Sequence, residues 1–310
     1  MGRMRIGLIG WGTVGAALGE LIVTGPLPLD LARVGVRDAA GERKSALPSV
    51  AIGSAEEVVG ANLDVVVELA GGVEGPRVWA RETLTRGRPY VTANKAILAT
   101  HGGELAQFAR EHGGALLASA SVGGGTPMIE TVEHLAATGA ITRLRGLLNA
   151  TTTFILSAMA QGRSYDEALA AAQAAGYAEA DPSFDVEGRD AAQKLAILAS
   201  VAWGRWRPER EVETRGIVGL AVEPGRTVRL VAEADEEALR VRPMELLPGT
   251  AMASASGVES VLEVEVRDAG TFRVSGPGAG GRATAGAVYA DLARLVAGER
   301  PILFGRGGAR

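Results

Sequence analysis

The chain has 310 residues, of which 47% are hydrophobic, and it carries a net charge of −4. This length suits two domains of ordinary size with a substantial core. Its weak acidity and an aromatic content of only 4% argue against a nucleic-acid-binding surface, which needs basic and stacking side chains. No run of about 18 apolar residues is present, and the N-terminus lacks the pattern of a signal peptide. We therefore predict a soluble, cytoplasmic protein that binds neither a membrane nor nucleic acid.

The N-terminal part of the chain alternates short apolar strands with helices. The continuous apolar run LDVVVEL at residues 63–69 is typical of a parallel strand that is covered on both faces. Strands are predicted at residues 5–10, 31–36, 63–69, 90–92 and 116–119, and helices at 16–23, 76–86 and 103–112, with a further short helix ending near 61. This alternation indicates a doubly wound α/β sheet.

Near residue 126 the pattern changes to an α+β one. Helices are predicted at residues 127–137, 153–160, 165–175 and 191–203, and strands at 144–148 and within 211–274. A glycine-rich stretch at 276–281 is expected to be a flexible return loop. The last helix, near 284–297, is then expected to pack back against the first domain.

The first motif with a chemical meaning is Gly10-x-Gly12-x-x-Gly15, which contains Thr13 and Val14 and lies between a predicted strand and the predicted helix at 16–23. The first glycine permits a tight turn, the second lets the backbone approach a pyrophosphate, and the third allows close packing. A merely structural turn is the alternative. In this context the motif predicts an N-terminal Rossmann-type dinucleotide-binding domain, residues 1–126 with 276–310. The α+β region 127–275 is then a substrate-binding and dimerisation domain.

The end of the second strand normally contacts the adenosine ribose, where an acidic residue favours NAD and an arginine accommodates the extra phosphate of NADP. The chain offers Arg37 and then Asp38, with Arg43 and Lys44 close behind. This cluster favours NADP, although an ordinary charged turn has the same composition. The cofactor is therefore predicted to be NADP or NAD.

Lysine is rare in this chain, which has Lys44, Lys95 and Lys194 among 32 basic residues. Arginine cannot titrate near neutral pH, whereas a buried lysine can. A lysine retained in such a chain is a candidate for proton transfer, although chance retention at the surface is the alternative. Cysteine is absent, which excludes disulfides, thiolate metal sites and cysteine nucleophiles.

The densest group of charges is GYAEADPSFDVEGRDAAQK at residues 176–194. Asp190 and Lys194 are four residues apart on a predicted helix, so they share a face, and Asp190 caps the helix or lies in its first turn. A surface ion pair would be the plain interpretation. Because the following residues 195–201 are apolar, the helix is expected to be buried, which favours an acid/base or substrate-binding role.

Seven strings, in order along the chain, resemble the homoserine dehydrogenase family. They are GLIGWGTVG at 7–15, VELAGG at 67–72, TANKA at 92–96, SVGGGTP at 121–127, GLLNATTTFIL at 146–156, the acidic stretch 176–194 and GPGAGGRATAGAV at 276–288. The resemblance spans nearly the whole chain. It implies the reversible, NAD(P)-linked interconversion of L-homoserine and L-aspartate 4-semialdehyde, which leads to threonine, methionine and isoleucine.

The resemblance also implies roles for individual residues. Lys194 resembles the lysine that exchanges a proton with the substrate oxygen, and Lys95 a second lysine between nicotinamide and substrate. Asp190 resembles the carboxylate that orients the catalytic lysine. The implied substrate-binding residues are Glu179, Asp185, Asp190, Thr151 and Lys95, and the implied cofactor-binding residues are Gly10, Gly12, Thr13, Val14, Gly15, Arg37, Gly71 and Lys95.

Members of the family typically form homodimers through the sheet of the substrate domain, so a homodimer is expected. A structural sodium ion is also implied, held by the backbone carbonyls of Val122, Gly124 and Thr126. The family commonly places a glutamate three residues before that valine, where this chain has Ser119, so the site has less anionic help. Ala150 replaces a frequent glycine. The chain resembles short members without a C-terminal regulatory domain, so no threonine inhibition through such a domain is expected.

Other functions share parts of this pattern. Aspartate-semialdehyde dehydrogenase shares the metabolite but needs a cysteine nucleophile, which this chain lacks. Another NAD(P)-dependent amino-acid or sugar dehydrogenase, or a non-catalytic NAD(P)-binding sensor, would share the glycine motif. Turnover of L-homoserine discriminates between these and the favoured function.

Overall fold

The computed structural model describes residues 2–38, 50–255, 257 and 259–304. The chain divides into two compact units, each with its own sheet. The first unit comprises Met1–Gly125 and Ala279–Arg310, and the second comprises Thr126–Gly278. Elements are numbered in chain order.

The first unit contains a six-stranded parallel sheet in the order β3-β2-β1-β4-β5-β6. The strands are β1 Met4–Ile9, β2 Leu29–Gly35, β3 Ala51–Gly53, β4 Val65–Glu68, β5 Tyr90–Thr92 and β6 Leu116–Leu117. The reversal of strand order beside β1 is the switch point at which open α/β sheets bind ligands. The predicted α/β, Rossmann-type class is therefore confirmed, although β3 was not predicted.

Helices surround this sheet. They are α1 Thr13–Thr24, α2 Ala55–Gly60, α3 Glu74–Thr85, α4 Lys95–His112 and α11 Gly281–Val296. α1 packs on α11, and α3 packs on α2 and α4. The return helix α11 belongs to the first unit. Fully buried Ile6, Leu8, Val65, Val67 and Val91 from the strands form the core with apolar side chains of α1 and α11.

The second unit has a six-stranded mixed sheet in the order β12-β11-β7-β9-β10-β8. The strands are β7 Ile141–Leu147, β8 Val212–Thr214, β9 Val228–Ala234, β10 Leu239–Glu245, β11 Glu259–Val266 and β12 Gly270–Pro277. The pairs are antiparallel except for β10 with β8. The second unit therefore has the α+β organisation predicted for it.

Helices pack against this second sheet. They are α5 Met128–Thr138, α6 Ala150–Ala160, α7 Tyr165–Ala174, α8 Ser183–Val186 and α9 Arg189–Trp203, and the short α10, Ala251–Ser254, packs with Leu147, Val231 and Val261. α9 packs against β7, β9 and β10, and α6 against α7 and β9. α9 is buried along nearly its whole length from Asp190 to Ala202. The burial of α9 that the apolar run predicted is therefore present.

Three local features bear on the site, and two of them differ from the predicted elements. Helix α4 begins at Lys95, eight residues before the predicted start at 103, because Asn94 caps it. Asp190 lies in the first turn of α9, which is one of its two predicted positions, and Gly188 is the N-cap. The glycine-rich stretch at 276–281 is partly ordered into the end of β12 and the start of α11. Across the described part of the chain, no helix combines the length and apolar character needed to cross a membrane.

Candidate active site

The turn between β1 and α1 depends on glycine for two different reasons. Gly10 has a φ of +101°, and a Cβ there would lie 2.7 Å from the carbonyl carbon of Leu69. A Cβ on Gly15 would lie 2.1 Å from the carbonyl oxygen of Gly10. At Gly12, in contrast, a Cβ would meet nothing within 4 Å. The fold therefore requires Gly10 and Gly15, while Gly12 leaves open space for a molecule that approaches the turn.

A cavity of about 620 Å³ opens at this turn. Its lining residues are Ile9, Gly10, Trp11, Gly12, Gly35, Val36, Arg37, Asp38, Ser54, Ala55, Glu56, Leu69, Ala70, Gly71 and Trp79. The cavity follows the carboxyl ends of β1, β2, β3 and β4, where an open α/β sheet holds a dinucleotide. The open backbone at Gly12 and the free first turn of α1 fit a pyrophosphate.

The structure sorts the predicted cofactor-binding residues into two sets. Gly10, Gly12, Arg37 and Gly71 line the cavity. Thr13 and Val14 form the start of α1, and buried Gly15 supports the turn from beneath. Arg43 and Lys44, which favoured NADP in the sequence, lie outside the described residues.

A buried carboxylate that was not singled out from the sequence fixes the loops beside this cavity. Glu68 ends β4 and is fully buried. Its Oε1 accepts hydrogen bonds from the backbone N–H groups of Ala70 at 2.7 Å and Gly71 at 2.8 Å. Its Oε2 accepts a hydrogen bond of 2.7 Å from the Thr92 hydroxyl. The loop after β4 and the end of β5 are therefore tied to one carboxylate whose charge is met by donors.

The same network sets the position of Lys95. The Thr92 hydroxyl oxygen accepts a hydrogen bond of 2.9 Å from the Asn94 N–H. The Asn94 side chain donates to the carbonyl oxygen of Gly72 at 2.7 Å and accepts from the Ile97 N–H at 3.4 Å, which caps α4. Lys95 follows as the first residue of α4, half-buried. It therefore belongs to the first unit, beside the loop that carries Gly71.

Lys194 is held in the second unit by two hydrogen bonds. Its ammonium Nζ donates to the Leu148 carbonyl oxygen and to Asp190 Oδ2, both at 2.7 Å. The side chain of Lys194 is 15% exposed and that of Asp190 8% exposed, so this is no surface ion pair. An ammonium has three N–H donors. The two contacts leave one N–H of Lys194 for a further oxygen.

Asn149 links the two carboxylates of this site, and sequence reasoning missed it. Its amide nitrogen donates to Asp185 Oδ1 at 2.6 Å and to Asp190 Oδ2 at 2.9 Å. Its amide oxygen accepts from the Thr152 N–H at 2.8 Å, which caps α6. The available signal was an asparagine, a typical N-cap residue, four residues before the helix start predicted at 153, whereas α6 begins directly after it at Ala150. Only the contact between α6 and the α8–α9 segment reveals its second role.

The protonation of Asp185 depends on burial. Desolvation raises its pKa above the ordinary value of 3.8, and the neighbouring Asp190 charge adds to this, against opposing hydrogen bonds from Asn149 and Thr151. The Thr151 hydroxyl lies 2.6 Å from the Tyr177 carbonyl oxygen and 3.1 Å from Asp185 Oδ2. Thr151 therefore links Asp185 to the loop that carries Tyr177.

Glu179 lies on the exposed loop between α7 and α8. Gln173 donates to its backbone carbonyl oxygen at 3.1 Å, and the Thr151–Tyr177 hydrogen bond ties the same loop to α6. The Glu179 carboxylate makes no hydrogen bond or ion pair with the described residues. The structure therefore brings Thr151, Asp185, Asp190 and Lys194 into one network and leaves the Glu179 carboxylate open to solvent.

Of the residues predicted to bind a cation, Val122 and Gly124 belong to the first unit and Thr126 belongs to the second unit. Val122 is fully buried, Gly124 has a φ of +59°, and the Thr126 hydroxyl donates to the Pro277 carbonyl oxygen at 3.2 Å. Ser119 donates through its hydroxyl to Asp291 Oδ1 at 2.6 Å and through its N–H to Oδ2 at 3.0 Å. Among the residues placed in the structure, no group of three acidic or histidine side chains could hold a metal. Ala150 is the first residue of α6.

Two family models match consecutive parts of the chain. The sequence model of "Homoserine dehydrogenase, NAD binding domain" matches residues 10–118, and that of "Homoserine dehydrogenase" matches residues 127–293. A homoserine dehydrogenase of Synechocystis sp. is 37% identical over 94% of this chain and 73% of its own length. One from Mycobacterium leprae is 39% identical over 90% of this chain and 67% of its own length.

Solved structures agree with these relatives. A homoserine dehydrogenase from Thiobacillus denitrificans superposes with a TM-score of 0.88 at 32% identity, over 95% of this chain and 73% of that one. A hyperthermophilic archaeal homoserine dehydrogenase in complex with NADPH gives a TM-score of 0.87 at 29% identity, over 97% of this chain and 99% of that one. The chain therefore catalyses NAD(P)-dependent, reversible hydride transfer between L-homoserine and L-aspartate 4-semialdehyde, and it belongs to the homoserine dehydrogenase family.

Proposed function

We propose that the first unit binds the dinucleotide at the glycine turn and that the second unit holds the substrate at Lys194, which is the acid/base of the reaction. The observation that carries this proposal is the environment of Lys194. Its ammonium is fixed by the Leu148 carbonyl oxygen and by Asp190, and one N–H is left over. A proton donor fixed in this way needs little reorganisation when charge develops on a substrate oxygen.

Bound NAD(P) supplies the nicotinamide ring that gives or takes the hydride. In aldehyde reduction, negative charge develops on the carbonyl oxygen, and Lys194 stabilises this charge and donates a proton to it. In alcohol oxidation, Lys194 acts in its neutral amine form, takes the hydroxyl proton and becomes the ammonium. Asp190 orients the ammonium, because its Oδ2 receives both the Lys194 and the Asn149 hydrogen bonds.

The substrate-binding roles rest on charge and on available hydrogen-bonding groups. The amino group of homoserine is a cation that a carboxylate binds well, and the Glu179 carboxylate is exposed and unpaired among the described side chains. Asp185 and Thr151 are proposed to contact the substrate from the network around Asn149. Lys95 is proposed as the second lysine of the reaction and as a cofactor-binding residue, at the start of α4.

We propose that both cofactors bind and that Arg37 favours NADP. Arg37 and Asp38 both line the cavity after β2, so the extra phosphate would meet a guanidinium and the ribose of NAD would meet a carboxylate. The test is reduction of each cofactor with L-homoserine, followed by the absorbance of the reduced nicotinamide. We expect turnover with both and a lower KM for NADP. A flat trace with both cofactors from folded protein would reject the assignment and favour a non-catalytic sensor.

A homodimer is proposed through the sheet of the second unit. Cross-strand pairing in this sheet aligns one charged side chain from each of the six strands in a single row. Across the sheet the row runs Arg273, Glu263, Arg145, Glu233, Arg240 and Glu213. The signs alternate, so a second copy turned end for end along this row presents an opposite charge to every member. The row is thus complementary to itself under a two-fold axis, as a homodimer requires.

The dimer is tested by reversing charges at the middle of the row. Arg145→Glu places like charges against Glu233 of the same chain and of the second copy, so the molecular mass by light scattering should fall to that of a monomer. Adding Glu233→Arg restores both pairs and should restore the dimer. A monomeric unmodified protein, or a double variant that stays monomeric while folded, would contradict the proposal.

Two further proposals concern a structural sodium ion and the location of the protein in the cell. The sodium ion is proposed at the carbonyl groups of Val122, Gly124 and Thr126, with the oxygens of Ser119 and Asp291 already paired to each other. A melting temperature that does not change between sodium and tetramethylammonium salts would contradict a structural sodium ion. The cytoplasmic location also stays a prediction, which localisation of a tagged chain would test.

A further inference from the structure

The outer end of the first-unit cavity contains an aromatic side chain tied to a carboxylate. The Trp79 indole N–H donates to Glu56 Oε1 at 2.9 Å, and both residues line the cavity with Ser54. Trp79 lies on α3 and Glu56 in the first turn of α2, so the hydrogen bond joins two helices that pack together. Neither residue has a role in the turn that binds the pyrophosphate.

Two contacts fix the indole. A Cβ built on Gly75 would lie 3.0 Å from Cζ2 of Trp79, so the ring lies over the bare Cα of the first turn of α3. Glu56 holds the indole nitrogen from the other helix. The same hydrogen bond is the first cause that lowers the pKa of Glu56, so Glu56 remains a charged acceptor at neutral pH. The ring is therefore presented to the cavity in one orientation.

The strand order indicates which part of a dinucleotide would reach this end of the cavity. β1, β2 and β3 are neighbours in the sheet, and their carboxyl ends lead to the glycine turn, to Arg37 with Asp38, and to Ser54 with Glu56. A dinucleotide that places its pyrophosphate at the turn after β1 and a ribose after β2 reaches β3 with its base. An aromatic ring at that place offers a flat apolar surface to the π-face of the base.

We propose that Trp79 is the stacking platform for the adenine ring of the dinucleotide and that Glu56 is the residue that positions it. This inference rests on the proposed assignment of the cavity to the dinucleotide. The ligand class is an adenine nucleotide, and the nicotinamide half makes no contact with the pair. Glu56 acts through Trp79 and does not itself contact the base.

The test uses fragments of the cofactor on the whole chain. We expect Trp79→Ala to weaken binding of NAD, ADP-ribose and adenosine monophosphate on the order of tenfold, the scale of one base–aromatic stack. Nicotinamide mononucleotide should bind as before. Trp79→Phe retains a ring and should lose less. Calorimetric titration gives the dissociation constants, and the melting temperature reports folding.

The positioning role of Glu56 is tested by two variants. Glu56→Gln keeps an acceptor oxygen for the indole N–H and should keep the affinity for adenosine monophosphate, while Glu56→Ala should lower it. The loss from Glu56→Ala should vanish in a Trp79→Ala background, because Glu56 acts through the ring.

Two outcomes overturn the proposal, and a third overturns its basis. If Trp79→Ala lowers the melting temperature but leaves adenosine monophosphate binding unchanged, the pair only joins α2 to α3. Equal losses for both halves of the cofactor would also contradict an adenine platform. If Gly12→Ala leaves every fragment's affinity unchanged, the cavity assignment itself fails, which is a different result from either of the first two.

Discussion

The glycine turn of the first unit and the lysine cluster of the second unit are built in opposite ways. At the turn, the chain presents backbone atoms, and a Cβ on Gly12 would meet nothing within 4 Å. At the cluster, Asn149, Asp190 and Lys194 satisfy one another and leave one ammonium N–H. A pyrophosphate is recognised by shape and backbone donors, whereas proton transfer needs a donor held in a fixed position.

The largest effect is expected at the lysine cluster. Lys194→Arg keeps a cation near Asp190 but removes a group that can release a proton, so kcat should fall about a hundredfold to ten-thousandfold. The fold should persist, because the guanidinium still pairs with Asp190. Steady-state kinetics and the melting temperature measure the two effects.

An exchange between arginine and lysine at a surface position of the same unit is the control for Lys194→Arg. Arg226→Lys changes an exposed residue of the same unit that pairs with Glu245, and it should leave kcat unchanged. A kcat for Lys194→Arg close to that of the unmodified protein would remove Lys194 from the proton-transfer step.

A smaller effect is expected at the glycine turn. Gly12 has an ordinary extended backbone, with φ −91° and ψ −160°, so Gly12→Ala should leave the melting temperature unchanged. Its methyl group would fill the space proposed for the pyrophosphate, and dinucleotide affinity should fall about tenfold, which corresponds to about 1.4 kcal/mol. Gly60→Ala, at another open position, should change neither quantity. Gly15→Ala should instead destabilise the fold.

The smallest effect is a change in the pH dependence of stability. Burial raises the pKa of Asp185, so between 3.8 and the raised value the folded chain holds a proton that the unfolded chain has lost. Stability therefore falls as pH rises through this window. Asp185→Asn cannot ionise, so its melting temperature should exceed that of the unmodified protein above the window and match it below.

Asp181 is the control of opposite sign. The Ser183 N–H lowers the pKa of this exposed carboxylate, so its contribution is present at neutral pH and lost on acidification. Asp181→Asn should lower the melting temperature slightly at neutral pH. A melting curve of Asp185→Asn that keeps the same pH dependence as the unmodified protein would show that Asp185 titrates normally.

Much of the first unit could be predicted from the sequence. The glycine spacing and the alternating strands depend on local backbone rules, so the turn, α1 and the parallel sheet follow from neighbouring residues. The start of α4 was placed too late because its signal is the Asn94 cap, which lies only two residues after the end of β5. Glu68 lies within a quoted motif, but its role depends on Thr92 and on Gly71, which meet only when β4 and β5 pair.

The sequence by itself determined the family, the glycine turn and the suspicion attached to Lys194, through its rarity and its spacing from Asp190. Only the tertiary structure decided that Lys194 is held by the Leu148 carbonyl and that Asn149 joins Asp185 to Asp190. The physical reason is range. Helical spacing is a local property of the chain, whereas these hydrogen bonds join α6 and the end of β7 to the α8–α9 segment. The raised pKa of Asp185 follows from burial, which depends on the packing of several segments of the chain.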